Sequence, residues 1–456
     1  MKEIKISAII YVLNSISYIE KCVRSVMSQT LQEIEILIID GGSTDGTLEI
    51  IEKLSKEDIR IRIIHSASGV GRQFNKGLCE ARGEYISICE SDDYILPDMY
   101  KYQYEIAKKY ELDVLRADAN HFFEIRDGKE FFIPVTLTKQ EEMYDRILDT
   151  TDSQCVLKLG INSFWSGLYR RRFLVERRIF MNETEGAAYQ DTAFYFLAIM
   201  QAKRVMLSQK AFYCYRLDNP SSSVNNPQRI TMLTEEYRLL KKRLKDLNLF
   251  EKCKGIYLSW KVNGHLGFYN SLPEELRDQY IIFMYQDLYR ELSIENAQEN
   301  EADMPDDKIL NLVKESVDAL REYLYERYRI LYDTEERLEK IERNKEVVIF
   351  GSGDIGKLVC SYLMHTNRNV VAYTDNNKYL WGKPIGSIIV LEPEKAARFY
   401  PDSFYIIANE KNSDFMKKQL QQFYIKEDHI IICNNYCFFL KHILQKKLKG
   451  IEGPLK

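Results

Sequence analysis

Cysteine pairs, a membrane-length apolar run and an excess of basic charge are all missing from this sequence, and each absence removes a class of function. The nine cysteines are odd in number and scattered, with no Cys-x-x-Cys; Cys433 and Cys437 are too isolated to read as a zinc site. Such usage points to reduced thiols in a cytosolic chain rather than to a disulfide framework. No stretch approaches the ~18–20 apolar residues of a spanning helix, and no signal-peptide pattern is present. A cytoplasmic chain is therefore expected, with at most peripheral contact at the inner face of a membrane. The basic, amphipathic segment His442 to Lys449 is the place for such contact, set against the plainer reading of a solvated tail. A net charge of −4 leaves no footprint for nucleic acid. Glycine is also sparse from about 228 to 342, where helical periodicity and charge dominate, as in Leu239 to Leu244 and Leu320 to Leu324.

What is present is a cluster of acid at a strand end. Tyr85 to Cys89 is a β-favouring run that stops at Glu90-Ser91-Asp92-Asp93. Strand alternation puts Glu90 and Asp92 on one side, while Asp93 turns away or begins the loop. Crowded carboxylates repel one another unless a cation sits among them. Hard divalent ions such as Mn²⁺ or Mg²⁺ want this oxygen set and leave positions open for phosphates. A solvated acidic turn is the competing reading, and the neighbouring segments weigh against it. Ile6 to Val12 and Ile34 to Ile39 read as buried strands, each followed by a helix; the second ends in Asp40-Gly41-Gly42-Ser43-Thr44-Asp45-Gly46-Thr47. A third strand, Ile59 to Ile64, precedes Ser68-Gly69-Val70-Gly71-Arg72 and a helix to Ala81. Ligands of open parallel sheets bind at the carboxyl ends of the strands, where each of these polar clusters falls.

Ser7 to Asn14, Asp40 to Thr47, Gly69 to Arg72 and Glu90 to Asp93 together resemble family-2 glycosyltransferases of the GT-A fold, in the family's order and spacing. Gly41 stands where a second Asp is frequent, and Glu90 where Asp is usual. The resemblance implies a metal-dependent, inverting transfer of a sugar from a nucleoside diphosphate, most often UDP, to a hydroxyl of a glycan or lipid-linked glycan acceptor in bacterial surface glycan synthesis. It implies that Asp40 meets the base while Tyr11 and Val12 line its pocket, that Asn14 and Ser91 belong to the nucleotide-sugar site, and that Glu90, Asp92 and Asp93 hold Mn²⁺ or Mg²⁺. Asp40 also suits a turn-shaping role. Arg72, behind two glycines at a helix start, is placed for a diphosphate, or is simply an exposed helix-start arginine.

The chemistry also needs a base. Gln190-Asp191 stands where the family has Glu-Asp, which implies that Asp191 deprotonates the acceptor. An N-cap role for Asp191 is compatible with this. Asn162 to Arg171 resembles the family's segment between the metal strand and the base; Trp165 is either a sugar-stacking platform or a core residue. Tyr213 to Arg216 reads as a strand running into the polar loop Asn219 to Ser223, with Arg216 as a candidate phosphate cation or a surface arginine.

A second nucleotide-type pattern closes the chain. After the strand Glu346 to Phe350, Gly351, Gly353 and Gly356 open a helix, and Asp375 ends the next strand about nineteen residues beyond. This resembles the Rossmann-like units of glycan-assembly enzymes, and implies nucleotide binding or assembly, including homo-oligomer formation. Tyr379 and Lys383 have dehydrogenase spacing, but Lys383 precedes Pro384, which disfavours helix there. The expectation is an α/β chain: a GT-A type mixed sheet with flanking helices over 1–227, a helical connector over 228–342, and a small Rossmann-like domain over 343–456. The alternative is a catalytically silent nucleotide-sugar-binding protein.

Overall fold

The computed structural model describes residues 3–124, 130–138, 140–148, 150, 164–186, 188–222, 229–272, 274–295, 308–365, 367–409 and 412–433. The segment 442–449 lies outside them. The chain divides into two compact units, Met1–Lys314 and Glu315–Lys456. No helix among the described residues is long and apolar enough to cross a membrane.

The first unit begins with β1 (Ile6–Val12), α1 (Ile19–Met27), β2 (Ile34–Asp40), α2 (Thr47–Glu57), β3 (Ile61–His65), α3 (Val70–Glu80) and β4 (Tyr85–Glu90). Every residue of β1 and β2 is buried, which is why both read as mostly apolar runs rather than as alternating ones; Ser7 and Glu35, the polar residues inside them, bond each other at 2.6 Å. β3 starts two residues later than its apolar run suggests. Asp58 bonds the Arg60 backbone N–H at 2.9 Å and its guanidinium at 2.6 Å, which closes a turn and leaves Ile59 97% exposed.

β5 (Tyr94–Ile95), α4 (Met99–Lys109), β6 (Val114–Glu124), β7 (Glu130–Val135), β8 (Ile147–Leu148), β9 (Leu168–Arg170), α5 (Arg171–Glu176), α6 (Gln190–Gln201) and β10 (Val205–Arg216) follow. They complete a mixed sheet in the order β3-β2-β1-β4-β9-β6-β10-β5, with β7 on β6 and β8 on β10. β9 runs antiparallel to both β4 and β6, and β10 is parallel to β6. The carboxyl ends of β1, β2, β4 and β10 therefore open on the same side of the sheet.

Helices α7 (Arg229–Asp246), α8 (Phe250–Ser271) and α9 (Glu274–Glu295) come next, and α10 (Lys308–Glu315) ends at the division between the units. The polar side chains of this helical segment are not all solvated. Lys261, 2% exposed, meets Asp287 at 2.9 Å and Glu291 at 2.8 Å, and Lys241 meets Glu291 at 2.6 Å. His265 lies 3.0 Å from Asp287 and 2.7 Å from the Tyr280 hydroxyl. Buried charges persist only when paired in this way.

The second unit holds α11 (Val317–Lys340), β11 (Glu346–Phe350), α12 (Asp354–His365), β12 (Asn369–Thr374), β13 (Pro384–Ile385), β14 (Ile388–Leu391), α13 (Pro393–Phe399), β15 (Phe404–Ile407), α14 (Ser413–Gln422) and β16 (Ile430–Ile432). The sheet order is β13-β14-β12-β11-β15-β16, parallel except for the β13–β14 hairpin. α11 belongs to this body: Arg337 donates to the Ile430 carbonyl at 2.8 Å and Thr334 to that of Ile432 at 3.0 Å. Tyr379 sits in a single turn, Lys378–Leu380, and Lys383 lies beyond it, so the two share no helix face.

Burial pushes the Asp287 carboxyl up, but the His265 hydrogen bond and the Lys261 charge outweigh it and hold the group at about 2. Its folded value thus lies below the ordinary 3.8, so its stabilisation is complete above pH ~4 and fades as pH falls towards 2. Lys261→Ala leaves two buried carboxylates short of a counter-charge and is expected to cost about 3–5 kcal/mol, read by denaturant unfolding at pH 7.

Candidate functional site

The loop after β2 is built by its own acid. Asp40, fully buried, accepts from the Gly42 N–H at 3.0 Å and the Ser43 N–H at 3.2 Å. Asn14, in the left-handed region at φ 51°, accepts from the Thr44 N–H at 2.8 Å, and its own N–H donates to Ser43 Oγ at 3.0 Å. Asparagine tolerates that backbone better than most residues, which explains its place between the two loops. Buried Val12 carries the carbonyl on which this corner converges, accepting from the Gly41 N–H at 2.9 Å and from Gln73 Nε2 at 2.8 Å. Tyr11 turns to the acidic side instead: its hydroxyl donates to Glu90 Oε1 at 2.8 Å.

At the end of β4, Glu90, Asp92 and Asp93 each offer an oxygen within 4.8 Å of the other two. Ser91, between them, accepts at its carbonyl from Ser15 Oγ at 3.3 Å. Burial first, then the Asp92 charge, pushes Glu90 up to about 8; burial and the Asp92 and Glu90 charges raise Asp93 well above the carboxylate range. The cluster is held by donors from distant strands. Tyr213 donates to Asp93 Oδ2 at 2.8 Å and accepts from the Glu90 N–H at 2.9 Å. The Arg216 N–H reaches Asp93 Oδ1 at 2.7 Å, and Asn219 Nδ2 reaches Asp92 Oδ2 at 2.7 Å. Hard oxygen ligands, mutual repulsion and a shortage of facing cations fit a divalent ion. Both oxygens of Asp93 already accept hydrogen bonds, so Glu90 and Asp92 are the better-placed ligands.

Asp191 lies in the first turn of α6. It is not the cap expected of it: Tyr189, at φ 68°, holds that position. Burial pushes its carboxyl up to about 6, and its charge is felt at Glu90 and at Tyr11, so it stands within electrostatic reach of the acidic cluster. The segment leading to it is held from below by α3. Asn75 donates to the Met181 carbonyl and to Glu183 Oε1, both at 3.0 Å, and accepts from the Met181 N–H at 3.0 Å. Gly71 permits the approach, since a Cβ there would come within 1.8 Å of the Asn182 carbonyl oxygen. One turn before Asn75, Arg72 reaches the Ser68 carbonyl at 3.3 Å and meets no carboxylate among the described residues.

Of the alternatives open for Trp165 and Arg216, the first is met by its core reading and the second by neither. Trp165 is not an open sugar platform: it is 5% exposed and stacks on Tyr213 at 4.1 Å and Tyr215 at 5.0 Å. Arg216 is not a loop cation. It ends β10 buried, 4.6 Å from the Tyr18 ring, with its guanidinium bound to Glu124 at 2.9 Å and Asp218 at 3.0 Å. Asn162 and Ser163 of the segment around Trp165, and Ser223 of the loop after Arg216, lie outside the described residues.

The structure adds Tyr215. It lies two residues beyond Tyr213, on the same face of β10 and nearer the mouth. Burial and the charges of Glu90, Asp93, Asp92 and Asp191 together push its phenol well above the usual range. The sole sequence signal for it was the Tyr-x-Tyr alternation of that strand.

In the second unit, Gly351 takes φ 109° against the Ala408 carbonyl, Gly353 faces open space, and Gly356 packs on the Gly351 carbonyl. Asp375 accepts from the Ser352 N–H at 2.9 Å and from Ser352 Oγ at 2.6 Å, so it ties down the glycine-rich turn.

Residues 7–174 match the family model described as glycosyl transferase family 2, and residues 343–431 the one described as C2185-like, N-terminal. The chain is 30% identical over 233 residues to the glycosyltransferase EpsJ of Bacillus subtilis, covering 50% of this chain and 65% of that protein. It is 28% identical over 216 residues to the poly(ribitol-phosphate) beta-glucosyltransferase of Bacillus spizizenii, covering 46% of this chain and 32% of that one. The chain thus spans less than two thirds of each of these relatives. The structure of S. aureus TarS 1–349 in complex with UDP-GlcNAc aligns with a TM-score of 0.52 at 21% identity, over 71% of this chain and 91% of that one, a likeness of fold.

If the triad holds a divalent ion, Asp92→Asn removes one of its two better-placed ligands. The expected outcome is a loss of Mn²⁺ affinity, measured by titration calorimetry, at least as large as the ~10–100-fold that loss of even an outer-shell partner costs.

Proposed function

We propose, from the premise that residues 7–174 are a family 2 glycosyltransferase domain, that this chain transfers a sugar from a nucleoside diphosphate, UDP above all, to a hydroxyl of a bacterial surface glycan, with inversion at the anomeric carbon. The observation that supports this reading is the Glu90, Asp92 and Asp93 cluster at the end of β4, with the Asp191 carboxylate within electrostatic reach of Glu90. The fold neighbour TarS binds UDP-GlcNAc, and a relative is named for glucosylating poly(ribitol phosphate); both support a nucleotide-sugar donor and a polyhydroxyl acceptor.

In this reading Asp191, with its carboxyl near 6, takes the proton of the acceptor hydroxyl. The oxygen attacks the anomeric carbon on the face opposite the diphosphate, and the carbon–oxygen bond to the diphosphate breaks. Arg72, at the first turn of α3, faces the leaving group with its guanidinium and the helix's N-terminal amides. Glu90 and Asp92, backed by Asp93, are the residues that would hold a Mn²⁺ or Mg²⁺ ion, whose chemistry is to neutralise the charge the diphosphate gains. Tyr213 and the Arg216 N–H keep Asp93 in place. Asp40, Asn14 and Val12 shape the corner for the base. The second unit is read as a nucleotide-binding or assembly module, through which copies of the chain associate, rather than as a second catalytic centre.

Asp191→Asn keeps the side chain's size and removes its basicity. Transfer is expected to fall ~10²–10⁴-fold, with melting temperature and UDP-sugar affinity unchanged. In the wild type, kcat should fall as pH drops through about 6, because the base must be deprotonated to act. Transfer by the variant within a few-fold of wild type rejects Asp191 as the base. Donor binding with no turnover by the wild type, across a panel of UDP-sugars and acceptors, favours instead a silent nucleotide-sugar-binding protein.

A further inference from the structure

The segment that delivers Asp191 is gripped from a second side by a helix with no motif of its own. Glu236, on α7, is 1% exposed. Its Oε2 accepts from Asn182 Nδ2 at 2.6 Å, and its Oε1 accepts from the Thr184 hydroxyl. Arg243, two turns along the same helix, donates to Asn182 Oδ1 at 3.3 Å, to the Phe180 carbonyl at 2.8 Å and to the Arg178 carbonyl at 3.2 Å. Both ends of the Asn182 amide are therefore held by α7, while its carbonyl packs against Gly71 of α3. The Asn182 amide and the Thr184 hydroxyl that donate to the Glu236 carboxylate are neutral, and burial pushes its carboxyl up to about 7. A buried acid is costly, and an apolar side chain in its place would strand the Asn182 amide and the Thr184 hydroxyl that it accepts from.

We propose that Glu236 is a positioning residue: by holding Asn182 and Thr184 it fixes the 181–191 segment, and so sets where the Asp191 carboxylate stands relative to the donor. The inference rests on reading Asp191 as the base. The donor side shares the same segment through Asn75, three residues from Arg72 on α3. The loop is thus a rigid spacer between the helix that faces the diphosphate and the helix that carries the base. A displacement of such a group by an ångström is enough to slow a reaction by about 10²-fold.

The test uses the full chain with Glu236→Ala and Glu236→Gln. In Glu236→Ala, amide hydrogen exchange should quicken over residues 181–191 and stay unchanged in β1 and β4. Its kcat should fall about 10–100-fold while KM for the UDP-sugar stays within about two-fold. Glu236→Gln keeps the length and one acceptor oxygen and should recover most of the rate. Unchanged exchange over 181–191 overturns the clamp. Faster exchange with an unchanged kcat overturns its part in positioning. A rate loss that tracks a general loss of protection, and that Gln fails to repair, reduces Glu236 to a structural residue and also overturns the proposal. The base reading fails separately, when Asp191→Asn retains transfer, whatever exchange shows for Glu236.

Discussion

Repulsion among carboxylates is the constraint around which the first unit is arranged. Glu90, Asp92 and Asp93 stand at the end of one strand with an oxygen of each inside 4.8 Å, and none has a lysine or arginine head group bound to its carboxylate in the described contacts. Neutral donors do the holding: two tyrosine hydroxyls, a backbone amide and an asparagine. Such donors orient acids without cancelling their charge, which keeps the cluster attractive to a cation. The guanidinium of Arg216 is drawn away by Glu124 and Asp218 and reaches the cluster at the Asp92 carbonyl, at 3.2 Å. The sheet topology serves the same end, because β10 must lie parallel to β4 for Tyr213 and Arg216 to arrive at its carboxyl terminus.

The mouth then has two walls of different character. On one side Asp40, Asn14 and Val12 form a corner stitched almost wholly through backbone amides, rigid and specific in shape. On the other, the described residues between Met181 and Tyr189 form no helix or strand and are held by side chains from α3 and α7. That difference suits the two tasks proposed for them. A base pocket discriminates by fixed hydrogen-bonding geometry, whereas an acceptor side must admit a larger partner beside a single aimed group.

What could be read from the sequence was whatever is local. Parallel, doubly covered strands announce themselves as apolar runs, so β1, β2 and β4 were legible, and with them the acids and glycines at their ends. Gly351, Gly353 and Gly356 between two strands were legible for the same reason. Contacts across long separations were not: Tyr213 meets Glu90 across 123 positions and Glu236 meets Asn182 across 54. The periodicity of α7 puts Glu236 on the apolar face, between Leu233 and Leu240, but says nothing of the partners it finds there. The faces of Trp165 and the partners of Arg216 were equally hidden, because an aromatic or a guanidinium looks the same in sequence whether it awaits a ligand or is already engaged. Asp191 seemed a natural cap, but Tyr189 holds that position and Asp191 stands two residues inside it.

The hold of α7 on the segment before α6 bears on how this fold can be recombined. The stretch that matches the family model stops at residue 174, before Asn182, Asp191, Tyr215 and Glu236. A chimera cut at that border would graft a nucleotide corner and an acidic strand end onto a foreign acceptor wall, with Gly71 and Asn75 facing a loop they were not shaped for. The smallest exchangeable module runs from Ile6 through Asp246, helix α7 included.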